Sequence, residues 1–314
     1  MALRDSGGAP PAGPVVPVLE IGGSHAAAGL VDWGARPPRA TELACQPLDS
    51  RAASQEILDA VVAAALALPV VGGETWAVAC PAPFDYEAGV SWMTEATVGK
   101  FESLYGLSLR EALAPRLPGP AAGIVFVNDA DAFGLGEVAV GAGQGYDRVV
   151  VLTLGTGVGS AWVAAGEARR SGPDVPPEGE IHWVEVDGAP LEDRVSARAI
   201  RRRFAAAGGQ AGADVAQIAA LARSGDHAAA GAIDGAMTDL SRAAAPWLAS
   251  FRAEALVLGG QIALSWDLVE PPITAGLAAA GIAIPVLQAS PGRLNPMIGA
   301  SMAALGPARP GIHE

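Results

Sequence analysis

Lysine is almost missing from this chain. Of the 20 basic residues one, Lys100, is lysine and the remainder are arginine. A Walker A loop needs a glycine, four residues, then glycine, lysine and serine or threonine; Lys100 is followed by Phe101, and the earlier glycine is absent. Phosphate, if bound at all, is bound without a P-loop lysine. Cysteine is nearly as scarce: Cys45 and Cys80 cannot by themselves make a zinc cluster, and they supply no disulfide framework. Positive charge is short overall, since 20 Lys and Arg against 33 Asp and Glu leave a net charge of −13. A nucleic-acid backbone is therefore excluded as an expected partner. The one basic cluster, Arg201-Arg202-Arg203, is expected near a helix end, where cations complement the dipole. Long apolar runs are also lacking: the longest is broken by Pro69 and too short to cross a bilayer. With no basic-then-apolar leader pattern, a cytoplasmic location is the expectation.

What is present is a substantial globular chain. Its 314 residues are 51% hydrophobic and 17% charged, enough for two domains, or one large one, with a substantial core. The most informative feature is a pair of glycine turns. The first follows Val18-Leu19-Glu20-Ile21 as Gly22-Gly23-Ser24, and the second follows Val149 to Leu154 as Gly155-Thr156-Gly157. Each reads as an apolar strand, a glycine turn carrying a hydroxyl, and a second strand of small or apolar residues. Glycine lets the backbone approach an anion, and exposed N–H groups and hydroxyls then bind phosphate oxygens. One such turn could simply reverse a hairpin. Two, one in each half, imply a duplicated phosphate-binding fold and point to phosphoryl transfer.

Strands alternate with helices in both halves, which makes the fold class α/β. Hydrophobic periodicity predicts a hairpin over 15–32, a helix capped by Ser54, and a strand over Thr75 to Cys80. A capping box at Ser108-Leu109-Arg110-Glu111 should open a helix that stops near Pro118. A buried strand over Ile124 to Val127 leads into a helix from Ala130 to Val140. The second half is predicted to hold strands over 148–154, 255–258 and 283–287 and helices over 191–207, 266–280 and 296–305. Two further helices, the longer reaching about Ala249, lie between. The expected division is a tail over 1–14, a smaller α/β part over 15–122 with a final helix over 296–306 packing back on it, a larger part over 123–295, and a C-terminal tail over 307–314. A hinge is expected near 120–130.

Three further clusters are candidates for chemistry. Asn128-Asp129-Ala130-Asp131 lies between a buried strand and a helix; a carboxylate there can accept the proton of an attacking hydroxyl or can merely cap the helix. Glu180-Ile181-His182-Trp183 and Leu191-Glu192-Asp193 carry a histidine and carboxylates able to hydrogen-bond sugar hydroxyls; the alternative is that Glu192 and Asp193 load a helix N-terminus and His182 is a surface residue. Leu258-Gly259-Gly260-Gln261 ends a strand where backbone must pass close to a flat ligand such as adenine.

In this order, Ile21-Gly22-Gly23-Ser24, Cys80 to Asp85, Asn128-Asp129-Ala130, Leu152 to Gly159, Glu180-Ile181-His182, Leu191-Glu192 and Leu258-Gly259-Gly260 resemble the ROK family of sugar kinases and repressors. The resemblance implies an actin-like, hexokinase-type ATPase fold of two lobes with a nucleotide and sugar cleft between them. It implies Asp129 as catalytic base, and Asn128, Glu180, His182 and Glu192 as sugar ligands. Gly22, Gly23, Ser24, Gly155, Thr156 and Gly157 would hold phosphates, and Gly259 and Gly260 would flank adenosine. ATP and Mg²⁺ are the implied cofactors, with polyphosphate an alternative donor. The acceptor would be glucose, an amino sugar or a cyclitol, and a second copy of the chain is a candidate partner. The chain departs from the family in having Glu20 for Asp and Ser24-His25 for Thr-Lys. The cysteine-rich zinc motif expected between His182 and Glu192 is replaced by Val184 to Pro190, so no structural zinc is expected and packing should hold that loop. The rival readings are a sugar-responsive transcriptional regulator, for which no helix-turn-helix pattern precedes Val15, and a non-catalytic sugar-binding protein.

Overall fold

The computed structural model describes residues 13–69, 74–118 and 123–306. Nearly all of the tail expected over 1–14 and the whole tail over 307–314 lie outside them. The chain divides into two compact units, residues 1–129 with 300–314, and 130–299. It passes from one to the other twice, between Asp129 and Ala130 and between Gly299 and Ala300.

In the first unit, β1 (Val15–Ile21) and β2 (His25–Asp32) form the expected antiparallel hairpin, and β3 (Arg39–Pro47) pairs with β2. Helix α1 (Ser54–Ala65) carries the chain to β4 (Thr75–Cys80), which lies parallel to β1. The residue at the helix N-cap is Ala53, not Ser54. A two-stranded ribbon follows, β5 (Phe84–Asp85) with β6 (Val90–Ser91), and then the short helices α2 (Glu95–Val98) and α3 (Leu109–Leu113). The Ser108 hydroxyl caps α3 by accepting from the Glu111 N–H at 3.2 Å. The helix ends before Pro118 because Pro115 has no N–H to continue it. β7 (Gly123–Asn128) then pairs parallel with β4. The sequence opens the second part at residue 123, but this strand is hydrogen-bonded into the first sheet, and the division falls after Asp129. The sheet order is β3-β2-β1-β4-β7. Its core is built by Leu19, Ile57, Val61, Trp76, Val78 and Phe126 among others.

Helix α4 (Asp129–Val140) leads into the second unit, where the same plan is repeated. β8 (Arg148–Leu154) and β9 (Val158–Ala164) are antiparallel, and β10 (Glu167–Ala168) pairs with β9. A small hairpin, β11 (Glu185–Val186) with β12 (Ala189–Pro190), precedes the helices. The helix expected over 191–207 is two: α5 (Glu192–Val195) and α6 (Ala197–Ala206). Ser196 breaks them with an extended backbone, ψ 163°, and its hydroxyl caps α6. Helices α7 (Val215–Arg223) and α8 (His227–Phe251) follow, then β13 (Ala255–Gly259) parallel to β8. After α9 (Trp266–Ala279), β14 (Val286–Gln288) pairs parallel with β13. It starts later than the expected residue 283 because Pro285 cannot donate to a ladder. α10 (Asn295–Leu305) closes the described chain. The sheet order β10-β9-β8-β13-β14 matches the first sheet strand for strand, with two antiparallel pairings followed by two parallel ones. No helix among the described residues is long and apolar enough to cross a membrane.

Candidate functional site

Open α/β sheets present ligands at the carboxyl ends of their parallel strands. In the first unit those ends are Ile21, Cys80 and Asn128, set level by the pairings Glu20 with Ala79 and Cys80 with Asn128. The turn Gly22-Gly23-Ser24 follows β1 directly. The Gly22 N–H closes it by donating to the His25 carbonyl at 2.9 Å, and Ser24 is exposed at its tip. Asn128 is buried and its side-chain amide donates to the Tyr86 hydroxyl at 2.9 Å. Tyr86 in turn donates to the Cys80 carbonyl at 3.3 Å, so the ends of β4 and β7 are joined through one phenol. Asp129, next in sequence, is exposed at the head of α4. Asp85 accepts the N–H groups of Glu87 and Ala88 at 3.1 and 2.8 Å and thereby fixes the turn of the ribbon. Nothing in the sequence singles out Tyr86, because a lone tyrosine in a loop carries no periodic signal.

In the second unit the parallel strands end at Leu154, Gly259 and Gln288. Gly155-Thr156-Gly157 follows β8, with the Gly155 N–H bonded to the Gly157 carbonyl at 3.0 Å. Among the described residues a Cβ at Gly155 would meet nothing beyond its chain neighbours within 4 Å, and Thr156 is exposed, so the face of this turn is open. The structure brings Glu192 to the same turn. Its carboxylate accepts the Val158 N–H at 3.2 Å, and a Cβ at Gly157 would lie 2.7 Å from Glu192 Oε2. Sugar-ligand and phosphate-turn candidates are thus neighbours. Gly260 has φ +87°, and a side chain there would run into the Leu154 backbone; that glycine is required where β8 and β13 end side by side.

Glu180 and His182 are also together: His182 Nε2 lies 3.4 Å from Glu180 Oε2. Arg170 joins them to the head of α4. It sits 3.6 Å from Glu180 and 2.8 Å from Asp131, whose side chain is almost fully buried. Arg170 holds Glu180 in place, and the sequence does not reveal it because its partners lie far along the chain. The loop expected to rest on packing, Val184 to Pro190, is the β11–β12 hairpin. Val186 is buried, and Asp187 at its tip is gripped by both arms of Arg242, at 2.8 and 3.0 Å. Arg194 adds a third interaction at 3.5 Å. The hydrogen bonds from Arg242, followed by the charges of Arg242 and Arg194, hold the Asp187 carboxyl below the usual carboxylate range. Among the described residues no group of three or more His, Cys, Asp or Glu is arranged to hold a metal ion.

Comparison with known proteins agrees with this architecture. A glucokinase of Thermotoga maritima is 30% identical over 215 residues, 62% of this chain and 65% of that protein. A polyphosphate glucokinase of Mycobacterium tuberculosis is 31% identical over 185 residues, 57% of this chain and 61% of that protein. The matched stretch therefore spans less than two thirds of either relative's length. The crystal structure of a ROK hexokinase from Thermus thermophilus superposes with a TM-score of 0.76 at 24% identity, covering 92% of this chain and 97% of that one; the fold is the actin-like, hexokinase-type α/β fold. The model of the ROK family matches residues 19–306, a span that takes in both glycine turns, Asn128-Asp129 and the Glu180 to Glu192 region, and the chain belongs to that family.

Proposed function

We propose that this chain transfers the terminal phosphoryl group of ATP to a primary hydroxyl of a hexose or hexose-like acceptor, with glucose the first choice. The observation that carries the reading is the doubled sheet that ends, in each copy, in a glycine turn with an exposed hydroxyl residue. The N–H groups of Gly23, Ser24, Thr156 and Gly157 meet no acceptor among the described residues and suit phosphate oxygens. Asp129 acts as the general base. It takes the proton of the acceptor hydroxyl as that oxygen bonds to phosphorus, while the phosphorus–oxygen bond to the rest of the donor breaks and ADP leaves. Asn128, Glu180, His182 and Glu192 bind sugar hydroxyls, and Gly259 and Gly260 border the adenosine. Mg²⁺, when carried on the donor phosphates, would supply charge neutralisation there. Glu20 and Asp129, at the end of β1 and the head of α4, are the carboxylates that would face it. One or two carboxylates beside phosphate oxygens suit an ion that keeps several of its waters.

The test is phosphoryl transfer by the purified protein over a panel of hexoses, amino sugars and cyclitols. One arm uses ATP, read by coupled ADP release, and a second uses polyphosphate, read by sugar-phosphate formation. Turnover with glucose and ATP supports the proposal as stated. Turnover only with polyphosphate moves the donor, and turnover only with an amino sugar or cyclitol moves the acceptor. No transfer to any acceptor from either donor overturns it and leaves a sugar-binding or regulatory role.

A further inference from the structure

Lys100, the single lysine, lies against the first glycine turn. A Cβ built on Gly23 would stand 3.4 Å from the Lys100 Cδ and 3.8 Å from its Nζ, so the ammonium group hangs directly over that residue. The position is enforced from both sides. Gly99 has φ +68°, and Phe101 has φ +62°, a left-handed backbone that a bulky aromatic residue rarely adopts. Phe101 is completely buried and its N–H donates to the Ser50 carbonyl at 2.8 Å, which anchors the strained residue. The Lys100 ammonium stands 5.7 Å from the centre of the Phe101 ring. Strain of this kind persists only where surrounding structure holds it, and it gathers at ligand sites.

Among the described residues the ammonium also has no counter-ion. No carboxylate among the described residues lies within 4.0 Å of it, in a chain whose acidic residues outnumber its basic ones 33 to 20. Among the described residues, a partly buried cation without a carboxylate, two N–H groups without acceptors at Gly23 and Ser24, and the exposed Ser24 hydroxyl converge on one turn. All of these groups can donate hydrogen bonds, and the ammonium and the N–H groups can only donate.

We infer that Lys100 and the Gly22–Ser24 turn form a binding site for the phosphate chain of the phosphoryl donor, with Lys100 as its cation. The inference rests on the proposed kinase reading for the identity of the ligand, but the binding itself can be measured without turnover. Lys100 is a binding residue for the donor and does not exchange protons with the acceptor.

Because lysine occurs once, reductive methylation of the native protein with ¹³C-formaldehyde gives one lysine methyl signal beside that of the N-terminal amine. Dimethylation keeps the positive charge. Titration with inorganic tripolyphosphate, ATP and glucose separately should shift the lysine signal saturably with the two polyphosphates and leave it unmoved by glucose. Lys100→Met should raise the donor KM about 10- to 100-fold with the sugar KM unchanged, and Lys100→Arg should restore most of the loss. A lysine signal indifferent to both polyphosphates, or a folded Lys100→Met protein with the wild-type donor KM, overturns the inference and leaves the kinase reading standing. A tripolyphosphate-dependent shift in a protein that phosphorylates no acceptor keeps the site and removes the kinase reading. A response to tripolyphosphate and not to ATP identifies polyphosphate as the donor that this site takes.

Discussion

At the scale of single residues, the candidates separate by what surrounds them. Asp129 is exposed at the head of a helix beside a buried asparagine, so its charge is held by position more than by burial. Asp129→Asn is nearly isosteric and should fold with an unchanged melting temperature, while kcat falls by roughly 10²–10⁴-fold, the usual cost of losing a general base. Near-normal turnover in the folded variant would return Asp129 to the role of a helix cap. The second turn offers a cleaner contrast than its sequence suggests. Among the described residues nothing beyond its chain neighbours lies within 4 Å of a methyl group at Gly155, so Gly155→Ala leaves the fold alone and places carbon where phosphate would approach. The donor KM should rise, with sugar KM and stability near wild type. Glu192→Gln should raise the sugar KM instead, or change the preference among epimers, because leaving a sugar hydroxyl without its hydrogen-bond partner costs roughly 1–3 kcal/mol. Substitution at Gly157 separates nothing: a methyl group there meets Glu192 at 2.7 Å and disturbs both ligands at once. If Gly155→Ala moves the sugar constant alone, the turn is not a donor site.

At the scale of elements, the β11–β12 hairpin shows how ion pairs hold a loop. Asp187 joins its tip to α8 through Arg242 and to α5 through Arg194. Arg194, Arg203 and Arg242 also converge on the buried Asp239. Because the folded-state pKa of Asp187 is lowered, its contribution is present above the ordinary carboxylate value of about 3.9 and fades as pH falls through the depressed value. The Asp187→Asn variant should therefore lose a little thermal stability at pH 7, and its difference from wild type should shrink both in acid and in high salt, since the pair is exposed. A difference constant from pH 7 to pH 3 would show that the ion pair contributes nothing. This clamp was not legible in the sequence: Asp187 and Arg242 are separated by 55 positions, and neither sits in a periodic pattern. Strands with apolar runs, such as Arg148–Leu154, were legible to the residue. β3 was not, because Arg39–Pro47 has no fully buried residue. Its half-buried face is Ala40, Glu42, Ala44 and Gln46, while its one large apolar residue, Leu43, is exposed. Serine at position 196 reads equally well as helix interior or as cap, and only the packed structure decides that it divides α5 from α6.

At the scale of the whole molecule, the duplication was legible because glycine turns depend on local backbone chemistry, which is written in adjacent residues. Lys100 against Gly23, Glu192 against Gly157 and Arg170 between Asp131 and Glu180 were not, since each depends on segments brought together by folding. The loop that carries a cysteine-rich motif in the resembled family is here a hairpin closed by arginine and aspartate. Transfer activity should accordingly survive dialysis against a zinc-selective chelator and require added Mg²⁺; stoichiometric zinc in the native protein would contradict that. The repeated sheet also bears on redundancy. Two turns of three residues each follow a seven-residue strand, yet one has an ammonium group over it and the other a carboxylate against it. Such copies are not spares for each other. A lesion in either turn finds no backup in its twin, and a saturation library scored for function should tolerate acidic replacements around Gly23 and basic ones around Gly157 equally badly.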